Sequence, residues 1–210
     1  MIIEARAAGP GFVYLASQSP RRRELLDRIG VRHELLLADA DEDVETLEAT
    51  RAGESPDAYV ERVTRAKLRA AMRRLRARGL APAPVLCADT TVAVGARILG
   101  KPLDGADATR MLALLSGRIH RVISAVAVAA RGRTRLAASV SRVRFATITP
   151  ARIERYVASG EPFGKAGAYA IQSGAAAWVE KIEGSYTGIM GLPLHETAAL
   201  LEWAGVAVRP

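Results

Sequence analysis

The chain has 210 residues, half of them hydrophobic, and a formal net charge of +8, enough apolar sequence to bury a sizeable core. No run approaches the roughly 18 apolar residues of a membrane span, and with an acid at Glu4 and no apolar stretch before a cleavage site, no secretory signal is expected. Cys87 is the only cysteine and cannot pair within the chain, so a reducing, cytoplasmic setting is expected, with a basic surface suited to nucleic acid, acidic membrane or a phosphorylated small molecule.

In chain order, residues 12–16 are apolar and β-prone. Ser19 and Pro20 then form a helix-start pair, Ser19 as N-cap and Pro20 in the first helical position. That helix is predicted to run to about residue 29, with Gly30 ending it. Residues 33–37 read as a strand and 39–43 as an acidic loop. Ser55 and Pro56 repeat the start signal and open a helix to about residue 78. On it Arg62, Arg65, Arg69, Arg73 and Arg76 share one face, read as solvated. No aromatic interleaves with them to stack on bases, which argues against a nucleic-acid stripe. Residues 84–89 form a short apolar strand, with a second near 92–94. A helix at 107–115 precedes two long strands, 119–130 and 135–147, joined by a turn at Arg131, Gly132 and Arg133. Pro150 starts a helix to about 158, then come a strand at 176–181 and a closing helix at 194–203. Strands alternating with helices, followed by a hairpin-like pair, predict an α/β protein with a mixed sheet. One compact domain and two intimately packed lobes both fit.

Three local anomalies point to chemistry. Arg21, Arg22 and Arg23 fill the first turn of a helix, where each cation opposes the helix dipole by ~0.3–1 kcal/mol; a phosphate chain docked on the free N–H groups would resolve the conflict. Lys67 shares an apolar helix sector with Val60, Val63, Ala70 and Ala71, so it either snorkels or points into a cleft. Asp89, Thr90 and Thr91 close the apolar strand, where ligands of open α/β sheets tend to bind and a carboxylate can serve as metal ligand, general base or turn former. Cys87 lies in an apolar run and reads as a small buried hydrophobe. His33, His120 and His195 have no metal spacing, and the glycines at 184–191 lack the Lys-Ser or Lys-Thr of a P-loop.

The motifs Leu15-Ala16-Ser17-x-Ser19-Pro20-Arg21-Arg22, Lys67, Ala88-Asp89-Thr90, Lys101-Pro102, Ser116-Gly117-x-x-His120, Lys165-Ala166-Gly167-Ala168-Tyr169-x-Ile171-Gln172 and Gly191-Leu192-Pro193-Leu194 resemble, in register and in order, the Maf proteins, also called septum formation inhibitors. The resemblance implies an elongated mixed β-sheet flanked by helices, with two lobes around a central cleft, as in inosine triphosphate pyrophosphatases. It spans a single domain at 12–210, after an extension at 1–11. It implies a nucleoside triphosphate pyrophosphatase using Mg²⁺ or Mn²⁺, often homodimeric, with no stable nucleic-acid or membrane partner. Carried over by position, Ser17, Arg21, Arg22, Lys67, Lys101 and Lys165 line the phosphate site, with Arg21, Arg22, Lys67 and Lys101 expected to stabilise the departing pyrophosphate. Glu42, Asp89 and Asp104 are the acidic members that hold metal, and Asp89 accepts the proton. Arg21, Thr90 and Gln172 match the branch that hydrolyses dTTP and UTP; the 7-methyl-GTP branch usually has Trp, Gln and Glu there. Gln18, Gly164, Ser124 and Ser173 depart from the common pattern. The alternatives are a purine or 7-methyl-GTP house-cleaning pyrophosphatase and a non-enzymatic nucleotide-binding regulator of cell division.

Overall fold

The computed structural model describes residues 11–39, 42–43 and 45–209, Glu45 by its backbone alone. The predicted extension, apart from Gly11, and part of the acidic loop at 39–43 lie outside the described residues. The chain forms β1 (Val13–Leu15), α1 (Pro20–Arg28), β2 (His33–Leu35), α2 (Pro56–Ala77), β3 (Val85–Val94), β4 (Arg97–Leu99), α3 (Gly105–Leu115), β5 (Ile119–Ala130), β6 (Arg133–Phe145), α4 (Pro150–Ala158), β7 (Val179–Glu183), α5 (Tyr186–Met190) and α6 (Leu194–Ala204). The predicted α/β class is the one observed: a seven-stranded mixed sheet of order β2-β1-β3-β5-β6-β7, with β4 beside the far end of β3. β1 runs parallel to β2 and β3, and the pairs from β3 through β5 and β6 to β7 are antiparallel.

Strand parity separates two cores. Leu86, Ala88 and Val92 of β3 join the larger cluster with residues of α1, α3, α4 and α6. Val85 and Cys87, one residue out of phase, pack with Leu68, Ala71 and Leu75 of α2. α2 holds on this face because Leu68 and Ala71 pack there while Val60 and Val63, at helical spacing on the same helix, form a further buried cluster with Ile123 and Ala125 of β5, each large aliphatic contributing about 1.5–3 kcal/mol. Its start is set by Ser55, whose Oγ accepts from the Ala58 N–H at 3.2 Å. Ser19 occupies the same position before α1 but makes no such side-chain bond.

Four local expectations change. β3 is one continuous strand, not two, because β5 pairs with it from Val85 to Ala93 without a break. The β5–β6 turn is only Arg131 and Gly132, both at positive φ, and Arg133 already pairs with Ala130. The strand predicted at 176–181 begins later, at Val179, after a 3-10 turn over Gly174–Trp178. β4 and α5 have no counterpart in the sequence reading, being too short to show a period.

Candidate functional site

β1 pairs with β3 only at Val85 and Leu86, and β4 takes up the same edge only from Val92. Among the described residues, no strand covers that edge of β3 between these points. A cavity of about 1040 Å³ opens there. Asp89 and Thr90 sit in the gap and, as strand neighbours, point to opposite faces. Asp89 is therefore mid-strand rather than at a strand end, as expected from sequence; the strand end that opens the cleft is that of β1.

On the α2 face, Lys67 Nζ donates to Asp89 Oδ1 at 2.6 Å and to Glu48 Oε1 at 2.6 Å. Lys101 Nζ reaches Glu48 Oε2 at 3.0 Å. Burial opposes the charge on Lys67, but Asp89 and Glu48 outweigh it and hold the ammonium above its ordinary value. Burial likewise opposes the charge on Glu48, and Lys67 and Lys101 still hold its carboxyl below the usual range. Lys67 and Glu48 are thus held in their charged forms, and with Asp89 and Lys101 they make an alternating set of two basic and two acidic side chains.

On the opposite face, Arg21 Nε donates to the Met190 carbonyl at 3.2 Å and Arg22 Nε to the Gly191 carbonyl at 2.8 Å. Arg22 Nη1 also donates to Ser17 Oγ at 3.2 Å. The arginines therefore rest on carbonyls at the C-terminal end of α5, where a helix dipole favours cations, while Arg21, Arg22 and Ser17 still line the cavity. Ser124 Oγ donates to the Gly188 carbonyl at 2.6 Å, which spends its one proton, so Thr90 Oγ1 is the donor in the 2.7 Å bond between the two hydroxyls. Thr90 is left with acceptor capacity toward the cavity. Lys165 donates to the Glu161 carbonyl; burial, with the like charge of Arg21, lowers its basicity. The Gly167 N–H binds the Gly100 carbonyl at 3.0 Å, which brings the Lys165 loop beside Lys101.

The structure thus brings together Ser17, Arg21, Arg22, Lys67, Asp89, Thr90, Lys101 and Lys165 around one cavity. Three expected members stand differently. Glu42 lines the cavity, but both its oxygens are taken by Arg74, at 2.7 and 2.8 Å, because that buried guanidinium needs a counter-charge. Asp104 lies outside the cavity lining and caps α3, accepting from the Asp107 N–H at 2.7 Å. Gln172 is exposed, one residue beyond Ile171, which does line the cavity. Sequence reasoning missed Glu48 and Arg74. Arg74 did carry a signal: it lies seven residues from Lys67 on the apolar side of α2, where an arginine requires an acid partner. Cys87 is buried and its thiol is pushed up to about 12 by burial, which makes it the inert hydrophobe expected.

Among the described residues no group of three His, Cys, Asp or Glu side chains forms a metal cage. A divalent cation such as Mg²⁺ keeps several waters and takes one or two carboxylates plus phosphate oxygens, and Asp89, in a cavity lined by cations, fits that donor set.

The family model for Maf-like protein matches residues 12–204. The dTTP/UTP pyrophosphatase of Polaromonas sp. (strain JS666) is 62% identical over 94% of this chain and 98% of its own. Those of Ralstonia nicotianae and Cupriavidus metallidurans are 61% and 63% identical, over 98% and 92% of this chain and 100% and 97% of theirs.

Proposed function

The chain belongs to the Maf-like protein family, and from that membership and the cleft we propose that it hydrolyses dTTP and UTP to the nucleoside monophosphate and pyrophosphate. The observation that carries this reading is one buried carboxylate, Asp89, hydrogen-bonded to Lys67 inside a cavity lined by Arg21, Arg22, Lys101 and Lys165. Such a set neutralises a polyphosphate and leaves one base for a water. The names of the relatives, at about 60% identity over nearly their whole length, support the substrate.

In the proposed reaction, water attacks the α-phosphorus and Asp89 takes its proton through the oxygen not bound to Lys67. The bond from the α-phosphorus to the oxygen bridging to the β-phosphorus breaks, and pyrophosphate leaves. Lys67, Lys101 and Arg22 stabilise its charge, and Ser17, Arg21 and Lys165 orient the phosphate chain. The substrate's own phosphate oxygens would hold a divalent cation, Mg²⁺ or Mn²⁺, which Asp89 would orient through the ion's waters. When bound, that cation neutralises phosphate charge and acidifies water. The base would lie toward Thr90; Gln172, exposed and outside the cavity lining, would have to turn inward for its amide, with both donor and acceptor, to match the imide edge shared by thymine and uracil. Cytosine reverses that pattern, which would cost about 1–3 kcal/mol for each polar group that base binding buries unpaired. Homodimeric assembly and a cytoplasmic setting belong to the same reading; no helix among the described residues is long and apolar enough to cross a membrane.

The test is pyrophosphate release from dTTP, UTP, CTP, ATP, GTP and 7-methyl-GTP, with and without Mg²⁺ or Mn²⁺. The highest kcat/KM is expected for dTTP and UTP in the presence of metal. A preference for a purine or 7-methyl-GTP would move the chain to another substrate branch, and binding without turnover would leave only a regulator.

A further inference from the structure

Glu48 stands between the two lysines of the cleft. It accepts from Lys67 through Oε1 at 2.6 Å, and from Lys101 through Oε1 at 3.3 Å and Oε2 at 3.0 Å. It arrives on the 3-10 turn Glu45–Glu48, outside the sheet and outside α2. Arg62 of α2 ties that turn down from behind, donating to the Leu47 carbonyl at 3.3 Å and the Ala49 carbonyl at 2.8 Å. It also grips Glu54 with two bonds, at 2.6 and 2.8 Å. Tyr59 OH donates to the Glu48 carbonyl at 2.8 Å. The backbone is thus anchored, and the side chain reaches the lysines through its own torsions.

Two ammonium groups that share one small anion repel each other once it is removed. A carboxylate between them keeps them at a spacing suited to an oxyanion, at the expense of competing with any oxyanion that arrives. Resting on the reading of the cleft as a triphosphate site, we propose that Glu48 is an exchangeable counter-carboxylate. It positions Lys67 and Lys101 for the substrate and is displaced from between them by the phosphate chain. The exchange has two consequences. Only a ligand that replaces the contacts to both lysines dislodges Glu48, which disfavours weakly charged competitors. After cleavage, Glu48 competes with pyrophosphate for the same two cations and hastens its release.

Glu48→Gln keeps size and removes charge at a partly exposed side chain. Titration calorimetry with inorganic pyrophosphate in EDTA, on wild type and variant, reads the exchange without turnover. The variant is expected to bind pyrophosphate about fivefold more tightly or better. It should also show a lower KM for dTTP and a kcat that does not rise. Arg62→Gln, which loosens the turn from outside the cavity, should shift pyrophosphate affinity in the same direction by less. It should add nothing in the Glu48→Gln background, since the carboxylate it presents is then gone. Unchanged or weaker pyrophosphate binding by a folded Glu48→Gln protein overturns the proposal. So does a collapse of kcat with weakened Mg²⁺-dependent binding, which would make Glu48 a metal ligand. Wild type that hydrolyses dTTP beside a Glu48→Gln protein of unchanged affinity sinks the exchange alone. Wild type that neither binds pyrophosphate nor turns over dTTP sinks the triphosphate reading, and the exchange with it.

Discussion

Two acids of one cavity, Asp89 and Glu42, are separated by their partners. Asp89 shares a lysine and keeps one oxygen outside that contact, whereas Glu42 gives both oxygens to the buried Arg74. Asp89→Asn removes charge and basicity without changing size, so turnover should fall by about 10²-fold or more, as for a lost general base. The urea midpoint should be retained. Near-wild-type turnover in a folded Asp89→Asn protein would take this residue out of the mechanism. Glu42→Gln should do the reverse. It leaves a buried guanidinium short of its counter-charge and should lower unfolding free energy by about 1–3 kcal/mol. If Glu42 acts as a structural anchor, kcat should stay within about twofold of wild type at a temperature where the variant is folded. A large kcat loss with unchanged stability would restore the metal role that the sequence suggested.

At the scale of elements, the arginines at the start of α1 are explained by α5. A row of cations at a helix N-terminus is unfavourable when α1 is taken alone, yet Arg21 and Arg22 donate to carbonyls at the far end of a second helix. That end depends on Gly191, which caps α5 at φ 116°, a conformation that strains residues bearing a Cβ. A Cβ there would meet Thr90 Oγ1 only at 3.6 Å and Arg22 Nε at 3.7 Å, so the penalty is backbone strain rather than crowding. Gly191→Ala should cost about 1–3 kcal/mol, seen as a lower urea midpoint. It should also reduce kcat/KM for dTTP, because the carbonyl that aims Arg22 shifts. Wild-type values for both would show that the cap tolerates a side chain. Gly167 presents the opposite case: an added Cβ would come within 2.9 Å of Val92 on β3, so close packing as well as positive φ requires glycine where the Lys165 loop meets the strand.

For the whole molecule, acid sensitivity is built into the larger core. His120 is buried against Phe145 and Tyr169 and hydrogen-bonds the Tyr169 hydroxyl at 2.7 Å. Burial pushes its pKa down to about 4. The unfolded chain takes up this proton near pH 6.5 and the folded chain only near 4. Between those values the unfolded state binds more protons, so stability falls as pH falls and this loss is complete below about 4. The full effect is on the order of 3 kcal/mol. Urea unfolding from pH 7 to 4 should show it, and His120→Gln should have a shallower slope across that window. Equal slopes would mean that His120 is not the responsible group.

The sequence by itself determined the α/β class, the long helices and several of the cations that line the cleft, because those features are local. Ser55 before Pro56 starts α2 whatever lies elsewhere, and an arginine in a helix's first turn or a lysine on an apolar face is anomalous against its own neighbours. Only the tertiary structure decided which acid serves which base. The Lys67–Glu48, Lys67–Asp89 and Lys101–Glu48 contacts join residues 19, 22 and 53 apart in the chain. Glu42, Glu45 and Glu48 offer the same chemistry within a few residues, so nothing local distinguishes the acid that pairs with Lys67 from the one that pairs with Arg74. The continuity of β3 through Asp89 is likewise a property of its pairing with β5, since strand hydrogen bonds come from the neighbour and polar residues lie comfortably where the sheet leaves a gap.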